Sequence, residues 1–147
     1  MGAALAGIVF CDDKALIFNC GDCRVYCRSG ERLEKLSHDH SVVQELYDRG
    51  KIDEEGMRVH PRKNIVTACV STEPAFLNIY FREIPYAQEK QNFFICSDGV
   101  WEALSGNELR ICLAKRTDLE SAGVLVEKLL GAGESCHDNI SFLLVEN

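Results

Sequence analysis

The chain has 147 residues, long enough for one domain with a substantial buried core. Its 46% hydrophobic and 27% charged content suits a globular protein, and its formal charge of −7 argues against a nucleic-acid backbone as partner, which needs clustered Lys and Arg. No apolar run approaches the roughly 20 residues of a membrane span, and no basic segment leads into an apolar one as in a signal peptide, so the expectation is a cytoplasmic protein without membrane contact.

In chain order, the first third reads as strands. Residues 4–10 and 15–20 flank the polar tetrad Cys11-Asp12-Asp13-Lys14, which suits a hairpin turn. Residues 24–28 run to the turn Ser29-Gly30 and 33–36 add a short strand, so an antiparallel meander is expected. Ser41-Val42-Val43-Gln44 predicts a capping box that opens a helix through Tyr47, ended by Gly50. Residues 51–64 are polar, contain Gly56 and Pro61, and are expected as an exposed loop in which Asp53-Glu54-Glu55 is a solvated face. Strand character resumes at 65–70 and 77–84.

The run Asn92-Phe93-Phe94-Ile95-Cys96 predicts a short buried strand. It stops at Ser97-Asp98-Gly99, where glycine permits backbone angles that other residues reach with difficulty. Ser105-Gly106-Asn107-Glu108 and Thr117-Asp118-Leu119-Glu120 are helix-start signatures, for helices toward Lys115 and Leu130. Gly131-Ala132-Gly133 ends the second helix, and a strand at 140–145 closes the chain. This order predicts an α+β fold with antiparallel sheet packed against helices.

Cys20 and Cys23 have the spacing of a zinc or redox motif and Cys27 follows closely, yet no second Cys or His pair stands where it would complete a tetrahedral site. Cys11, Cys69, Cys96 and Cys112 fall inside apolar runs, where a reduced thiol acts as a small hydrophobe. Mostly structural thiols in a reducing compartment are therefore expected.

Asp22, Asp98 and Asp138 all sit at strand boundaries. Hard cations such as Mg²⁺ and Mn²⁺ prefer carboxylate oxygens, and a cation between two neighbouring carboxylates relieves their repulsion. Asp is also a common turn former, so the pattern by itself leaves a structural role open. His38 and His40 flank Asp39, but that spacing does not put both rings and the carboxylate on one strand face. His137 reads as turn packing, Trp101 as a core anchor, and Arg24 as a partner for a nearby carboxylate.

Five segments occur in order: Gly21-Asp22-Cys23-Arg24-Val25-Tyr26, Ser37-His38-Asp39-His40-Ser41, His60-Pro61-Arg62-Lys63-Asn64, Cys96-Ser97-Asp98-Gly99-Val100-Trp101-Glu102 and Asp138-Asn139-Ile140-Ser141. The succession resembles the metal-dependent protein phosphatases, the PPM or type 2C serine/threonine family, and its compact bacterial members in particular, over nearly the whole chain. The resemblance implies an antiparallel β-sandwich flanked by helices in four αββα layers. It implies hydrolysis of phosphoserine and phosphothreonine on phosphoproteins through metal-activated water at a binuclear Mn²⁺ or Mg²⁺ centre. Asp98 and Asp138 match ligands of one metal, whereas Asp22 and Glu102 match positions that help hold a third, looser one. Glu102 stands where the family usually has Asp. Gly99 and Asn139 would support the ligands from behind, and residues 48–64 match a flap beside the active site.

Ala68 and Ser71 replace an Arg and a Gly common after the flap, and Cys20 and Cys23 replace a Val and a Ser. Nothing before Gly21 resembles the family's leading acidic ligand, its phosphate-binding Arg or its Asp-Gly-His-Gly-Gly-like bridging motif. Residues 1–147 are therefore expected to be the C-terminal part of a catalytic domain, lacking N-terminal strands and a helix. Apolar sheet left exposed would be covered by a second copy of the chain or by the missing segment. An inactive pseudophosphatase or interaction module is the alternative, and a zinc or redox protein built on Cys20 and Cys23 a third reading.

Overall fold

Alternating apolar residues divide the early strands between two sheets. The computed structural model describes residues 2–86, 91–114, 118–131 and 139–145. Strands β1 (Gly2–Ala3), β2 (Leu5–Cys11), β3 (Lys14–Cys20), β4 (Arg24–Ser29) and β5 (Arg32–Lys35) come first. β2 and β3 form an antiparallel hairpin with Ile8 opposite Ile17. The chain then leaves that sheet at Gly21, whose φ of 100° belongs to glycine. β4 enters the second sheet, so the expected single meander is corrected to two hairpins in different sheets.

After β6 (Val70–Ser71), which pairs with β1, β7 (Tyr80–Pro85) completes the order β2-β3-β7. The other sheet has the order β5-β4-β8-β9, with β8 at Asn92–Cys96 and β9 at Phe142–Val145. Ala15 and Ile17 from one sheet pack against Val25, Cys27 and Phe93 from the other. On β8 the next residue, Phe94, points to the opposite face and joins Tyr26, Trp101, Leu109 and Leu125 beneath helices α4 (Gly106–Leu113) and α5 (Asp118–Gly131). A strand buried on both faces needs an unbroken apolar run, which Phe93 to Cys96 supplies. Each buried Phe contributes about 2–3 kcal/mol.

Helix α1 (Val42–Asp48) has Ser41 as its cap, with the Gln44 amide donating to Ser41 Oγ at 3.2 Å. The expected box is only half made: the Gln44 side chain accepts from Lys35 and donates to Asp48, each at 2.8 Å. The Ser105–Glu108 box forms in full at the start of α4.

The 51–64 segment is corrected from loop to a loop holding helix α2 (Glu54–Val59). Asp53 Oδ1 accepts from the Gly56 amide at 2.8 Å, Glu54 and Glu55 lie exposed near the positive end of the helix, and Met57 is buried. The strand expected at 65–70 shrinks to an isolated bridge between Ser41 and Val66 and the short β6. Between them, the two ends of the 43–64 segment are tied by the Val42 amide on the Ile65 carbonyl and the Thr67 amide on the His40 carbonyl.

Helices cover one outer face of the sandwich. The outer face of β2-β3-β7 carries no helix among the described residues, and Leu5, Val9 and Phe81 are 46%, 45% and 58% exposed there. Cys11, read as a small hydrophobe inside an apolar run, is exposed at the end of β2. No described helix is long and apolar enough to cross a membrane.

Candidate metal centre

Asp22 and Asp98 come together where the two sheets exchange the chain. Asp22 follows the positive-φ turn at Gly21, and Asp98 is the first residue of α3 (Asp98–Ala103), directly after the buried strand β8. The Asp98 carboxylate accepts the Gly99 amide at 2.9 Å. Gly99 thus supports the carboxylate from a helical position, not through the unusual backbone angle expected of it.

Asp22 is 6% exposed. Burial, and then the neighbouring charge of Asp98, push its carboxyl up to about 6. The same surroundings push the Cys23 thiol up to about 11. A buried acid made reluctant to ionise by a second acid is a place where a divalent cation is favoured, so Asp22 and Asp98 fit one. Cys23 does not: a raised thiol is a poor zinc or redox ligand. Cys20 and Cys23 are free thiols, as are Cys11, Cys27, Cys69 and Cys96.

The local frame is built from residues whose neighbours in sequence carry the acids. Trp101, 2% exposed, donates its indole N–H to the Asp22 carbonyl at 3.0 Å. The Arg24 guanidinium lies 3.7 Å over the same ring and meets Asp39 Oδ2 at 2.6 Å. Asp39 is fully buried on its side chain, and its charge keeps Arg24 protonated against the opposing effect of burial. Sequence reasoning anticipated a carboxylate for Arg24 but gave Asp39 no structural role.

On the far side, the Ser97 hydroxyl donates to the Asn139 carbonyl at 3.1 Å and accepts the Ser141 amide at 3.0 Å. Asn139, the residue after Asp138, is thereby tied beside the residue before Asp98. Asp138 and His137 themselves lie outside the described residues.

Three expected or tempting ligands are engaged elsewhere. Lys63 holds the Glu102 carboxylate in an ion pair, with the Glu102 side chain 14% exposed. His38 Nε2 meets Asp48 at 2.9 Å, and His40 Nδ1 accepts the Gly21 amide at 3.2 Å. Among the described residues no group of three or more His, Cys, Asp or Glu side chains is placed to hold one ion. The Glu102 carboxylate is thus paired with Lys63 in this arrangement.

No protein-family model matches the chain. The serine/threonine phosphatase stp of Listeria monocytogenes is 34% identical over 147 residues, a match covering 99% of this chain and 57% of that protein. The structure of PppA, a regulatory component of T6SS in Pseudomonas aeruginosa, superposes with a TM-score of 0.84 at 32% identity, over 99% of this chain and 58% of that one. The catalytic domain of the serine/threonine protein phosphatase PstP, in complex with two manganese ions, superposes with a TM-score of 0.83 at 25% identity, over 99% of this chain and 59% of that one. The chain is part of a PPM phosphatase domain.

This PPM chain spans a little over half the length of the curated relatives it matches. Its sandwich and one helical layer are those the family resemblance implied. Within the PPM frame, the segment at 96–102 was legible because a buried strand, an acidic helix start and a core tryptophan follow one another. Lys63 and Arg58, which reach Glu102 from the 51–64 segment, had no local signal because their partner lies 39 and 44 residues away.

Proposed function

We propose that the chain supplies one side of the divalent-cation site of a serine/threonine protein phosphatase, with Asp98 and Asp138 as ligands and Asp22 as a further, looser one. The observation that carries this reading is the buried Asp22 carboxyl held beside Asp98 and pushed up to about 6. A bound Mn²⁺ or Mg²⁺ supplies acidified water and screens the charge of a phosphate under attack. The chain's own residues hold these acids in place. Gly99 orients Asp98, Trp101 fixes the Asp22 main chain, and Ser97 ties the Asn139 segment to the start of α3.

Phosphoserine and phosphothreonine on proteins are the substrate class that the stp and PstP likenesses support. Residues 48–64 are read as the flap beside the site, and the free thiols support a reducing, cytoplasmic location. The open outer face of the β2-β3-β7 sheet supports self-association.

The test is hydrolysis of an aryl phosphate and of a phosphothreonine peptide in millimolar Mn²⁺, beside Asp98→Ala. Turnover lost in the variant supports a centre built on Asp98. Turnover that survives Asp98→Ala, or that needs no divalent cation, rejects it.

A further inference from the structure

Glu102 occupies a position where the family resemblance implies a metal ligand, yet its surroundings describe a different task. It stands on α3, which begins at Asp98, so anything bound to it acts on the same short helix as the candidate centre. Two flap residues reach it. Lys63 Nζ pairs with its carboxylate, and Arg58 donates to its main-chain carbonyl from Nε at 3.3 Å and Nη2 at 3.1 Å. Arg58 is itself braced by Glu55 at 2.9 Å.

Met57 is the buried residue of α2, and between this helix and the body lies a cavity of about 110 Å³ lined by Arg24, Tyr26, Lys35, Met57, Arg58 and Trp101. A segment lying beside a cavity gains less dispersion energy than one packed without a void, so the ionic contacts add to the main-chain ties between Val42 and Ile65 and between His40 and Thr67 in setting its position. The Lys63 and Glu102 side chains are only 31% and 14% exposed, which spares this pair most of the screening that weakens surface ion pairs.

We propose that Glu102 is a positioning residue, the latch that fastens the flap to α3 through Lys63 and Arg58, and that it takes no part in holding a cation. Lys63 holds the Glu102 carboxylate in the arrangement seen here. The latch depends on these side chains alone and stands whether or not the phosphatase reading does.

Hydrogen exchange of the 54–66 amides, read by mass spectrometry, tests it in the full chain without metal. Glu102→Gln and Lys63→Met are each expected to speed exchange of that segment about fivefold, while β8 and α5 amides keep their protection. The charge-swapped double variant, Glu102→Lys with Lys63→Glu, is expected to restore protection to within about twofold. Mn²⁺ affinity by calorimetry should be unchanged in Glu102→Gln. Unaltered flap exchange in Lys63→Met, or failure of the swapped pair to restore protection, overturns the latch. A fall of about tenfold or more in Mn²⁺ affinity for Glu102→Gln also overturns it and returns Glu102 to the ligand set.

Discussion

Trp101 donates its indole N–H to the main-chain carbonyl of Asp22 at 3.0 Å, joining two segments 79 residues apart in sequence. Because Arg24 lies over the same ring, one side chain ties together the Gly21-Asp22 turn, strand β4 and helix α3. Trp101→Phe keeps most of the buried ring but leaves that carbonyl without its donor. The expected loss is about 1–3 kcal/mol of stability in urea unfolding, together with weaker Mn²⁺ binding as the Asp22 turn loosens. Retained stability and affinity would show that the ring's bulk alone matters.

The raised Asp22 carboxyl predicts how stability depends on pH. Well below pH 3.8 the group is neutral in both folded and unfolded protein. As pH climbs through about 6, the unfolded chain has already ionised at its ordinary 3.8 while the folded one resists, so stability is lost. The effect is on the order of 3 kcal/mol for a shift of this size. Asp22→Asn is therefore expected to stabilise the metal-free protein at pH 7.5 and to change little at about pH 3. Millimolar Mn²⁺ should reverse the ranking at pH 7.5. Thermal unfolding at the two pH values, with and without the ion, decides the matter, and a variant that is less stable at every pH would contradict the assignment.

Arg24 and Asp39 form a nearly buried pair, 12% and 0% exposed on their side chains, with Lys35 at 3.4 Å from the second Asp39 oxygen. Asp39→Ala removes the counter-charge and leaves two cations facing each other in low dielectric. A cost of about 3–5 kcal/mol is expected. Arg24→Met in the same background should recover part of it, because one stranded charge has then gone. Additive losses in this double-mutant cycle would mean the pair is not coupled.

Gly21 is required for two separate reasons. Its φ is 100°, and a Cβ there would lie 2.7 Å from Ala4 Cβ and 3.0 Å from Ala4 Cα. Gly21→Ala should destabilise the fold by about 1–3 kcal/mol and displace Asp22. Chemical denaturation measures the first effect, and a drop in Mn²⁺ affinity the second.

The outer face of the β2-β3-β7 sheet presents Leu5, Val9 and Phe81 to solvent. Light scattering at micromolar concentration is expected to show species heavier than a monomer, and Val9→Thr with Phe81→Ser to shift the population toward monomer. A monomeric wild-type profile would end the self-association proposal.

Local signals in the sequence carried through wherever the chemistry closes within a few residues. The Ser105–Glu108 box formed as read, because both partners lie one helical turn apart. Phe93 and Phe94 were legible as a buried strand because burial on both faces demands continuous apolar side chains. The positions of Asp22 and Asp98 at strand boundaries were equally plain. What the sequence could not settle was the choice among rival partners. Gln44 could cap its own helix or meet Lys35 and Asp48, and Glu102 could meet a cation or Lys63. The early strands could share one sheet or be parted at Gly21. Each choice depends on groups brought close from tens of residues away, where burial raises the strength of charge pairs and the closest satisfied partner prevails. Composition and local pattern determined the elements and the acids at their ends; only the tertiary structure decided which acid faces another acid and which is already held by a lysine.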